Sequence, residues 1–199
     1  ATLRGLDPVF GWTLHAAREA LRSAGIDPSA RHPRAALVIG NLSYPTAGLV
    51  DYAMEIWAGD APRTDPRNRF MSGLPAMLAA RALGFGGAAF ALDAACASSL
   101  YALKLACDEL HAGRADALLA GGVSRPDSLY TQMGFAQLRA LATSGRCTPF
   151  DAAASGLIVG EGAGVVVLKR LSDALRDGDE IHALIRGIGL SNDLDGNLL

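Results

Sequence analysis

The segment AAFALDAACASSLYALKLACDELHAG, residues 88–113, places the strongest constraint on how this chain folds. Residues 88–92 form a short, uncharged apolar run of the kind that fits inside a β-sheet, and Asp93 ends that run. From Ala97 onward the apolar residues recur at helical spacing, and Gly113 stands where a left-handed C-cap ends a helix. The segment therefore predicts a strand, a tight turn and a helix in direct succession.

Cys96 lies at the predicted junction between this strand and this helix. The free backbone N–H groups and the positive dipole end of a helix N-terminus favour a thiolate, and they lower a cysteine pKa from about 8.5 to about 3.5–7.5. A thiol in such a place is a candidate nucleophile. The alternative is that Cys96 is a small core residue, because unpaired cysteines are among the residues most often buried.

Four short motifs bear on this choice. They are Asp93-Ala94-Ala95-Cys96-Ala97-Ser98-Ser99-Leu100, Ala120-Gly121-Gly122-Val123, Cys147-Thr148-Pro149-Phe150-Asp151 and Gly160-Glu161-Gly162-Ala163-Gly164. In this order they resemble the β-ketoacyl synthase family of condensing enzymes, and most of all the ketosynthases of polyketide or polyunsaturated fatty acid synthases. One departure is Ser155, where the family usually carries an aspartate before Gly156. A serine there can still make a local turn hydrogen bond.

The resemblance implies an α/β protein with the thiolase-like fold, a layered arrangement around a mostly parallel mixed sheet. That fold repeats a βαβαβαββ unit twice. Residues 1–199 match only its N-terminal half, without the first strand and without the C-terminal half. The hydrophobic pattern independently alternates strands with helices, which predicts a largely parallel sheet covered on both faces and an antiparallel addition at its end.

The same pattern sets the expected elements. Helices are expected at residues 8–24, 46–58, 70–83 and 171–176, in addition to the one that begins near residue 97. Strands are expected at residues 35–39 and 117–120, within 156–168 and, as a closing strand, at 181–188. Residues 127–141 are expected to combine a loop with a short helix. Their bulky side chains are most simply core: Leu129, Tyr130, Met133, Phe135 and Leu138.

The resemblance also implies an acyltransferase that carries out decarboxylative Claisen condensation of acyl thioesters in polyketide or fatty acid biosynthesis. Cys96 would hold the acyl group as a thioester after delivery on the phosphopantetheine arm of an acyl carrier protein. No other cofactor and no metal is expected. Met133 and Phe135 are candidates for the wall of the acyl-chain tunnel, because family residues in this region line it near the dimer interface.

A second function remains open at this point. The family's two catalytic histidines and its lysine lie in motifs resembling HGTGT and KSNxGH, and neither motif occurs in this sequence. None of the histidines present stands in a motif that aims it at Cys96; they are His15, His32, His111 and His182. The chain is therefore either part of a condensing enzyme or a non-condensing dimerisation or scaffold half that is inactive alone.

Composition excludes several other classes of function. The net charge is −2 and no long basic run is present, which argues against nucleic acid and against an anionic membrane surface as partners. No apolar run approaches the roughly 18 residues of a spanning helix, and no signal-peptide pattern opens the sequence, so a soluble, cytoplasmic protein is expected. The three cysteines lack metal-like spacing, which indicates neither a disulfide framework nor a zinc site.

Residues 87–92 also bear on assembly, because they are small, apolar and free of charge. As an exposed sheet edge they would be an open template for pairing with another chain. In the thiolase-like fold the strand before the nucleophile pairs with its copy across a two-fold axis, so the resemblance implies a homodimer, besides contacts with other domains of a synthase. The alternative is an interior strand covered by a neighbour from the same chain.

Overall fold

A computed structural model describes residues 3–42, 44–59, 61, 63–126 and 128–191 of the 199-residue chain. The helices in this part of the chain are α1 (Pro8–Ser23), α2 (Ala47–Trp57), α3 (Leu74–Ala82), α4 (Ser98–His111), α5 (Ser128–Gln137) and α6 (Leu171–Asp177). The strands are β1 (Ala35–Asn41), β2 (Ala89–Leu92), β3 (Ala117–Ser124) and β4 (Gly162–Leu168). No helix within the described ranges is long and apolar enough to cross a lipid bilayer.

The strands form one sheet in the order β2-β1-β3-β4. β1 pairs in parallel with both β2 and β3, whereas β4 runs antiparallel to β3. This mostly parallel sheet with one antiparallel addition confirms the predicted fold class. β2, the strand that precedes Cys96, lies at one edge of the described sheet. The alternative of an interior strand is therefore wrong for the part of the chain that the structure describes.

Both faces of the sheet are covered at β1 and β3, because successive residues of these strands point into two different hydrophobic clusters. The cluster under α1 and α3 includes Phe10, Leu21, Leu37, Ile39 and Leu119. The cluster under α4, called here the α4 cluster, includes Ala36, Val38, Ala102, Ala106 and Leu118. The two alanines of α4 lie one turn apart, so the helix packs closely on the strands and its start is fixed relative to the sheet.

Helix α3 begins later than the sequence predicts. Ahead of it, residues Pro66–Phe70 form a short 3-10 helix, and the Asp65 carboxylate caps that helix by accepting a hydrogen bond from the Arg67 N–H. Pro75 then lies in the first turn of α3. A proline is favoured there because its missing N–H costs no helical hydrogen bond.

The closing strand expected at residues 181–188 is wrong. These residues form no strand and are exposed throughout. A strand forms only where its backbone N–H and C=O groups find hydrogen-bonding partners, and the described sheet pairs none of its strands with this segment. An apolar pattern alone therefore overpredicts strand here.

Helix α5 corrects the expectation that the bulky residues of 127–141 are core. Leu129, Tyr130, Met133 and Leu138 are between 54% and 67% exposed. α5 packs closely on none of the other described helices and strands. Apolar side chains become core only where a second element supplies a matching surface.

A group of ion pairs connects helices and strands at the amino ends of β1 and β3, the opposite end of the sheet from Cys96. Asp116, just before β3, accepts hydrogen bonds from Arg34 Nε at 2.5 Å and from Arg170 Nη2 at 2.8 Å. Arg170 Nη1 also donates to the carbonyls of Leu110, in the last turn of α4, and Ala115, at 2.8 and 2.7 Å. These bonds fix where α4 ends and β3 begins.

We expect the protein to lose stability at acid pH through Asp116. Hydrogen bonds from Arg34 and then Arg170 lower the pKa of Asp116 from 3.8 to about 2. Because the folded pKa is the lower one, the stabilisation is present above about pH 4 and is lost as the pH falls toward about 2. Thermal denaturation across this range should show a smaller acid loss for Asp116→Asn. Part of the loss should persist, because Arg67 also lowers the pKa of Asp65 to about 2. An identical pH dependence in Asp116→Asn and the wild type would contradict this assignment.

Candidate active site

Cys96 occupies the junction that the sequence predicts. β2 ends at Leu92, residues Ala95–Ala97 make one turn of 3-10 helix, and α4 begins at Ser98. The thiol is exposed and not disulfide-bonded, so the alternative of a core cysteine is wrong. It lies at the carboxyl edge of the parallel strands, which is where open α/β sheets bind their ligands.

The turn that precedes Cys96 is strained and is held by two side chains. Ala95 has a φ of 50°, in the left-handed region that residues other than glycine seldom adopt. Asp93 Oδ1 accepts a hydrogen bond from the Ala95 N–H at 2.9 Å. Ser98 Oγ accepts one from the Ala94 N–H at 2.9 Å and donates one to the Ala95 carbonyl at 2.6 Å.

Two glycines let the strands approach the start of α4. A Cβ atom on Gly40 would lie 2.5 Å from the carbonyl carbon of Ser98 and 2.6 Å from the backbone nitrogen of Ser99. A Cβ atom on Gly122 would lie 3.2 Å from the Cβ of Ser99. An added Cβ would overlap backbone atoms at Gly40 and would press against the Ser99 side chain at Gly122, so both glycines help to set the distance between the sheet and the first turn of α4.

A cavity of about 460 Å³ opens beside Cys96. The ends of β1 and β3, the start of α4 and the first part of β4 line it. Most of its lining side chains are small, among them Gly40, Ser99, Ala120, Gly122, Ala163 and Gly164. The small side chains leave room for a substrate next to the thiol.

Three of the four sequence motifs meet at this cavity: the one around Cys96, residues 120–123 and part of 160–164. The motif at residues 147–151 does not line it, and both Cys147 and Phe150 are exposed. In the adjoining loop Ser155 Oγ donates to Ser144 Oγ at 3.0 Å and accepts from the Ser144 N–H at 3.3 Å. Ser144 lies eleven residues before Ser155, so these bonds join two parts of the loop and are not the local turn hydrogen bond expected of this serine.

The structure does not bring Met133 and Phe135 to this cavity. Both lie on α5, where Met133 is exposed and Phe135 is half-buried, and neither is among the lining residues. The histidines also lie away from it: His15, His32, His111 and His182. Among the residues described, no group of His, Cys, Asp and Glu side chains is arranged to hold a metal ion.

The roles of Ser98 and Gly40 were not predicted from the sequence. Ser98 and Ser99 both follow Cys96 closely. The sequence alone does not show which of the two hydroxyls hydrogen-bonds to the turn before Cys96. Gly40 was expected just past the end of a strand, whereas it lies within β1. A glycine inside a buried strand often marks a close backbone approach, and that was the available signal.

Cys96 is expected to react first with a limiting amount of alkylating agent, followed by Cys147 and last by Cys107. Cys107 is half-buried in α4, and burial, with a smaller contribution from Asp108, raises the pKa of its thiol. A raised pKa slows alkylation because the thiolate is the reacting form. Peptide mapping by mass spectrometry after brief exposure gives the order. Earlier labelling of Cys107 or Cys147 would contradict the choice of nucleophile.

The mostly parallel sheet, the cysteine between edge strand and helix, and the glycine-lined cavity match the thiolase-like α/β fold that the resemblance implies. The family model "Beta-ketoacyl synthase, N-terminal domain" matches residues 2–174. The chain therefore belongs to the β-ketoacyl synthase family, as its four motifs indicate.

Curated relatives include large synthases. A phenolphthiocerol/phthiocerol polyketide synthase of Mycobacterium tuberculosis is 40% identical over 193 residues, which cover 94% of this chain and 10% of the relative. The PKS-NRPS hybrid synthetase ATPKS of Aspergillus niger is 48% identical over 113 residues, or 57% of this chain and 6% of the relative. The chain thus spans about a tenth or less of the length of these relatives.

Solved ketosynthases share the fold. PfaC Keto synthase-Chain length factor superposes with a TM-score of 0.80 at 40% identity, covering 90% of this chain and 22% of that chain. The ketosynthase from module 1 of the bacillaene synthase from Bacillus amyloliquefaciens FZB42 gives a TM-score of 0.76 at 29% identity, covering 97% and 32%. These similarities confirm the thiolase-like fold inferred from the resemblance.

Proposed function

We propose that this chain supplies the acyl-accepting half of a ketosynthase, an acyltransferase that performs decarboxylative Claisen condensation in polyketide or fatty acid biosynthesis. The main support is the exposed Cys96 thiol on a strained, hydrogen-bonded turn beside a cavity lined by small residues. Membership of the β-ketoacyl synthase family and similarity to polyketide synthases favour this function over a non-condensing scaffold.

In the proposed reaction the Cys96 thiolate attacks the carbonyl carbon of an acyl thioester. A new C–S bond forms to Cys96 as the bond to the pantetheine sulfur breaks, and the leaving thiolate takes up a proton. A malonyl thioester then loses its carboxylate as CO₂, and the resulting carbanion attacks the acyl-cysteine carbonyl. Cleavage of the C–S bond regenerates the Cys96 thiolate and leaves a β-ketoacyl thioester.

The local backbone suits the charge that develops in these steps. Cys96 lies in the short turn that leads into α4, whose N-terminal end carries a partial positive charge. By resemblance to the family, the Cys96 N–H would be one oxyanion donor. The groups that promote decarboxylation lie in histidine and lysine motifs absent from this sequence. By resemblance to the family, we expect them in the C-terminal half of a complete domain.

The proposed partners follow from this chemistry. An acyl carrier protein would present both thioesters on its phosphopantetheine arm, and no further cofactor takes part. Other domains of a cytoplasmic synthase are also proposed as partners, since the relatives are many times longer than the matched segment. Met133 and Phe135 remain candidates for contact with the acyl chain, in a wall that α5 would complete with a second half or a second copy.

Product formation by the complete domain tests the function. Given an acyl and a malonyl thioester, the wild type should release the β-ketoacyl product, and Cys96→Ala should release none above background. Cys147→Ala is the matched control and should stay active, because Cys147 does not line the cavity. Undiminished product from Cys96→Ala would overturn the proposal.

We also propose that the complete domain forms a homodimer through β2. This strand lies at the edge of the described sheet, where one row of its backbone N–H and C=O groups has no partner strand. Its residues, Ala89–Leu92, carry no charge that would guard the edge. Antiparallel pairing with a second copy across a two-fold axis would satisfy these groups.

Phe90→Lys is expected to shift the complete domain toward monomer. Phe90 packs against the α4 cluster, and a lysine keeps that contact through its alkyl stem while its ammonium group places like charges across the two-fold axis. Sedimentation velocity gives the mass. Phe90→Leu, which keeps an apolar side chain, should remain a dimer. An unchanged dimer mass for folded Phe90→Lys would exclude this interface.

A further inference from the structure

We infer that Ser98 is the positioning residue for the Cys96 thiol, and that its hydroxyl maintains the turn on which the thiol is displayed. The inference rests on the proposed function, because it concerns the same nucleophile. Ser98 follows Cys96 in the chain. Its hydroxyl contacts the Ala94 N–H and the Ala95 carbonyl, and both of these backbone groups precede Cys96. The hydroxyl therefore bridges the chain across the nucleophile.

The bridge is specific and shielded from solvent. Ser98 is only 6% exposed, so water cannot readily replace its hydrogen bonds. Its hydroxyl acts as acceptor and donor at once, at 2.9 Å and 2.6 Å, and both bonds have ordinary hydrogen-bond lengths. A buried polar group with both roles filled fixes one local geometry and disfavours others.

The bridge acts on a backbone that needs support. Ala95, directly before Cys96, keeps a φ of 50°. Such strain persists only where the surroundings over-determine the conformation. Asp93 holds the Ala95 N–H, and the Ala95 carbonyl accepts from both the backbone N–H and the hydroxyl of Ser98. Without the hydroxyl, the Ala94 N–H loses its partner and the Ala95 carbonyl keeps only its backbone bond, so the turn that carries the thiol is held less tightly.

The backbone of Ser98 is itself fixed by β1. The Gly40 Cα lies so close that an added Cβ would come within 2.5 Å of the Ser98 carbonyl carbon. The hydroxyl therefore works from a fixed point, and the flexible side of the bridge is the Ala94–Ala95 turn. This predicts a local effect on Cys96 instead of a general loss of structure.

The test measures alkylation rates of all three cysteines against pH in the purified protein. Ser98→Ala should slow the alkylation of Cys96 about tenfold, the size expected from losing hydrogen bonds of ordinary strength, and should alter how that rate depends on pH. Cys147 should keep its rate, and Cys107 should stay slow as a reporter of intact packing. Ser172→Ala, which removes an exposed hydroxyl from α6, should change nothing.

A second pair of variants separates the hydroxyl from the shape of the side chain. Ser98→Thr and Ser98→Val have nearly the same volume, and only threonine keeps the hydroxyl. The Cys96 rate and pH profile should be largely restored in Ser98→Thr and should stay altered in Ser98→Val. If fast Cys107 labelling shows that Ser98→Ala has unfolded, the comparison of Ser98→Thr with Ser98→Val decides whether the hydroxyl positions the Cys96 thiol.

Different results would contradict the positioning role of Ser98 and the proposed function. If Cys96 is the fastest thiol in the wild type and equally fast in Ser98→Ala, with the same pH profile, the positioning role is wrong and the proposed function stands. Equal Cys96 rates in the Thr and Val variants would lead to the same conclusion. If Cys96 is not the fastest thiol in the wild type, the proposed nucleophile fails, and the positioning role with it.

Discussion

Gly40→Ala is expected to lower the free energy of unfolding by about 3 kcal/mol and to slow the alkylation of Cys96 in the same variant. The added Cβ would lie 2.5 Å from the carbonyl carbon of Ser98 and 2.8 Å from its carbonyl oxygen. Both are backbone atoms that cannot swing aside, so β1 and α4 must separate. Because the first turn of α4 supports the turn before Cys96, the separation reaches the thiol.

Chemical denaturation measures the free energy, and Gly134→Ala is its control. Gly134 lies within α5, and no described atom outside its own helical neighbourhood lies within 4 Å of its Cβ position. Alanine is favoured over glycine in a helix by about 1 kcal/mol, so this variant should be at least as stable as the wild type. Wild-type stability and wild-type Cys96 labelling in Gly40→Ala would contradict the close contact between β1 and α4.

A loss of about 4 kcal/mol or more is expected for Gly121→Ala. Its Cβ would lie 2.0 Å from the carbonyl oxygen of Gly164 and 2.9 Å from the Cα of Val165. These atoms belong to β4, which pairs antiparallel with β3 in this register. β4 must therefore move away from β3, and the wall that it contributes to the cavity moves with it.

The neighbouring position offers a sharp control for this prediction. Gly164 lies in the same strand pair, but no described atom lies within 4 Å of its Cβ position. Gly164→Ala should therefore keep most of the stability that Gly121→Ala loses, as read from denaturant midpoints. Equal losses in the two variants would show that the crowding at Gly121 is not the cause.

The central part of the fold was predictable because its signals are local. The apolar run at residues 88–92, the helical spacing after Ala97 and the glycine at 113 report on neighbouring residues in the chain, and β2 and α4 follow them. The position of Cys96 between them follows from the same signals. The exposure of Cys96 did not follow from these signals, because a small residue at such a junction fits a core equally well.

The errors have a common physical cause. Residues 181–188 and the apolar side chains of α5 show patterns typical of buried elements, yet they are largely exposed. Such a pattern records that a segment has an apolar face. Whether that face is buried depends on a partner surface, which the segment's own residues do not specify.

The contacts at the site could not be predicted from the sequence for a related reason. The approach of Gly40 to the backbone of Ser98 joins residues far apart in the sequence. The choice of Ser98 over Ser99 as the bridging hydroxyl depends on how α4 enters from the turn. Both facts require the helix and the sheet to be placed relative to each other, and that placement comes from packing in the α4 cluster.

The most direct test of the central claim, that Cys96 accepts the acyl group, is the mass of each cysteine peptide after the purified protein is exposed to an acyl-pantetheine thioester. The Cys96 peptide should gain the mass of the acyl group, the Cys107 and Cys147 peptides should stay unchanged, and Cys96→Ala should gain none. Acylation of Cys107 or Cys147 in preference to Cys96, or an equal gain in Cys96→Ala, would contradict the claim.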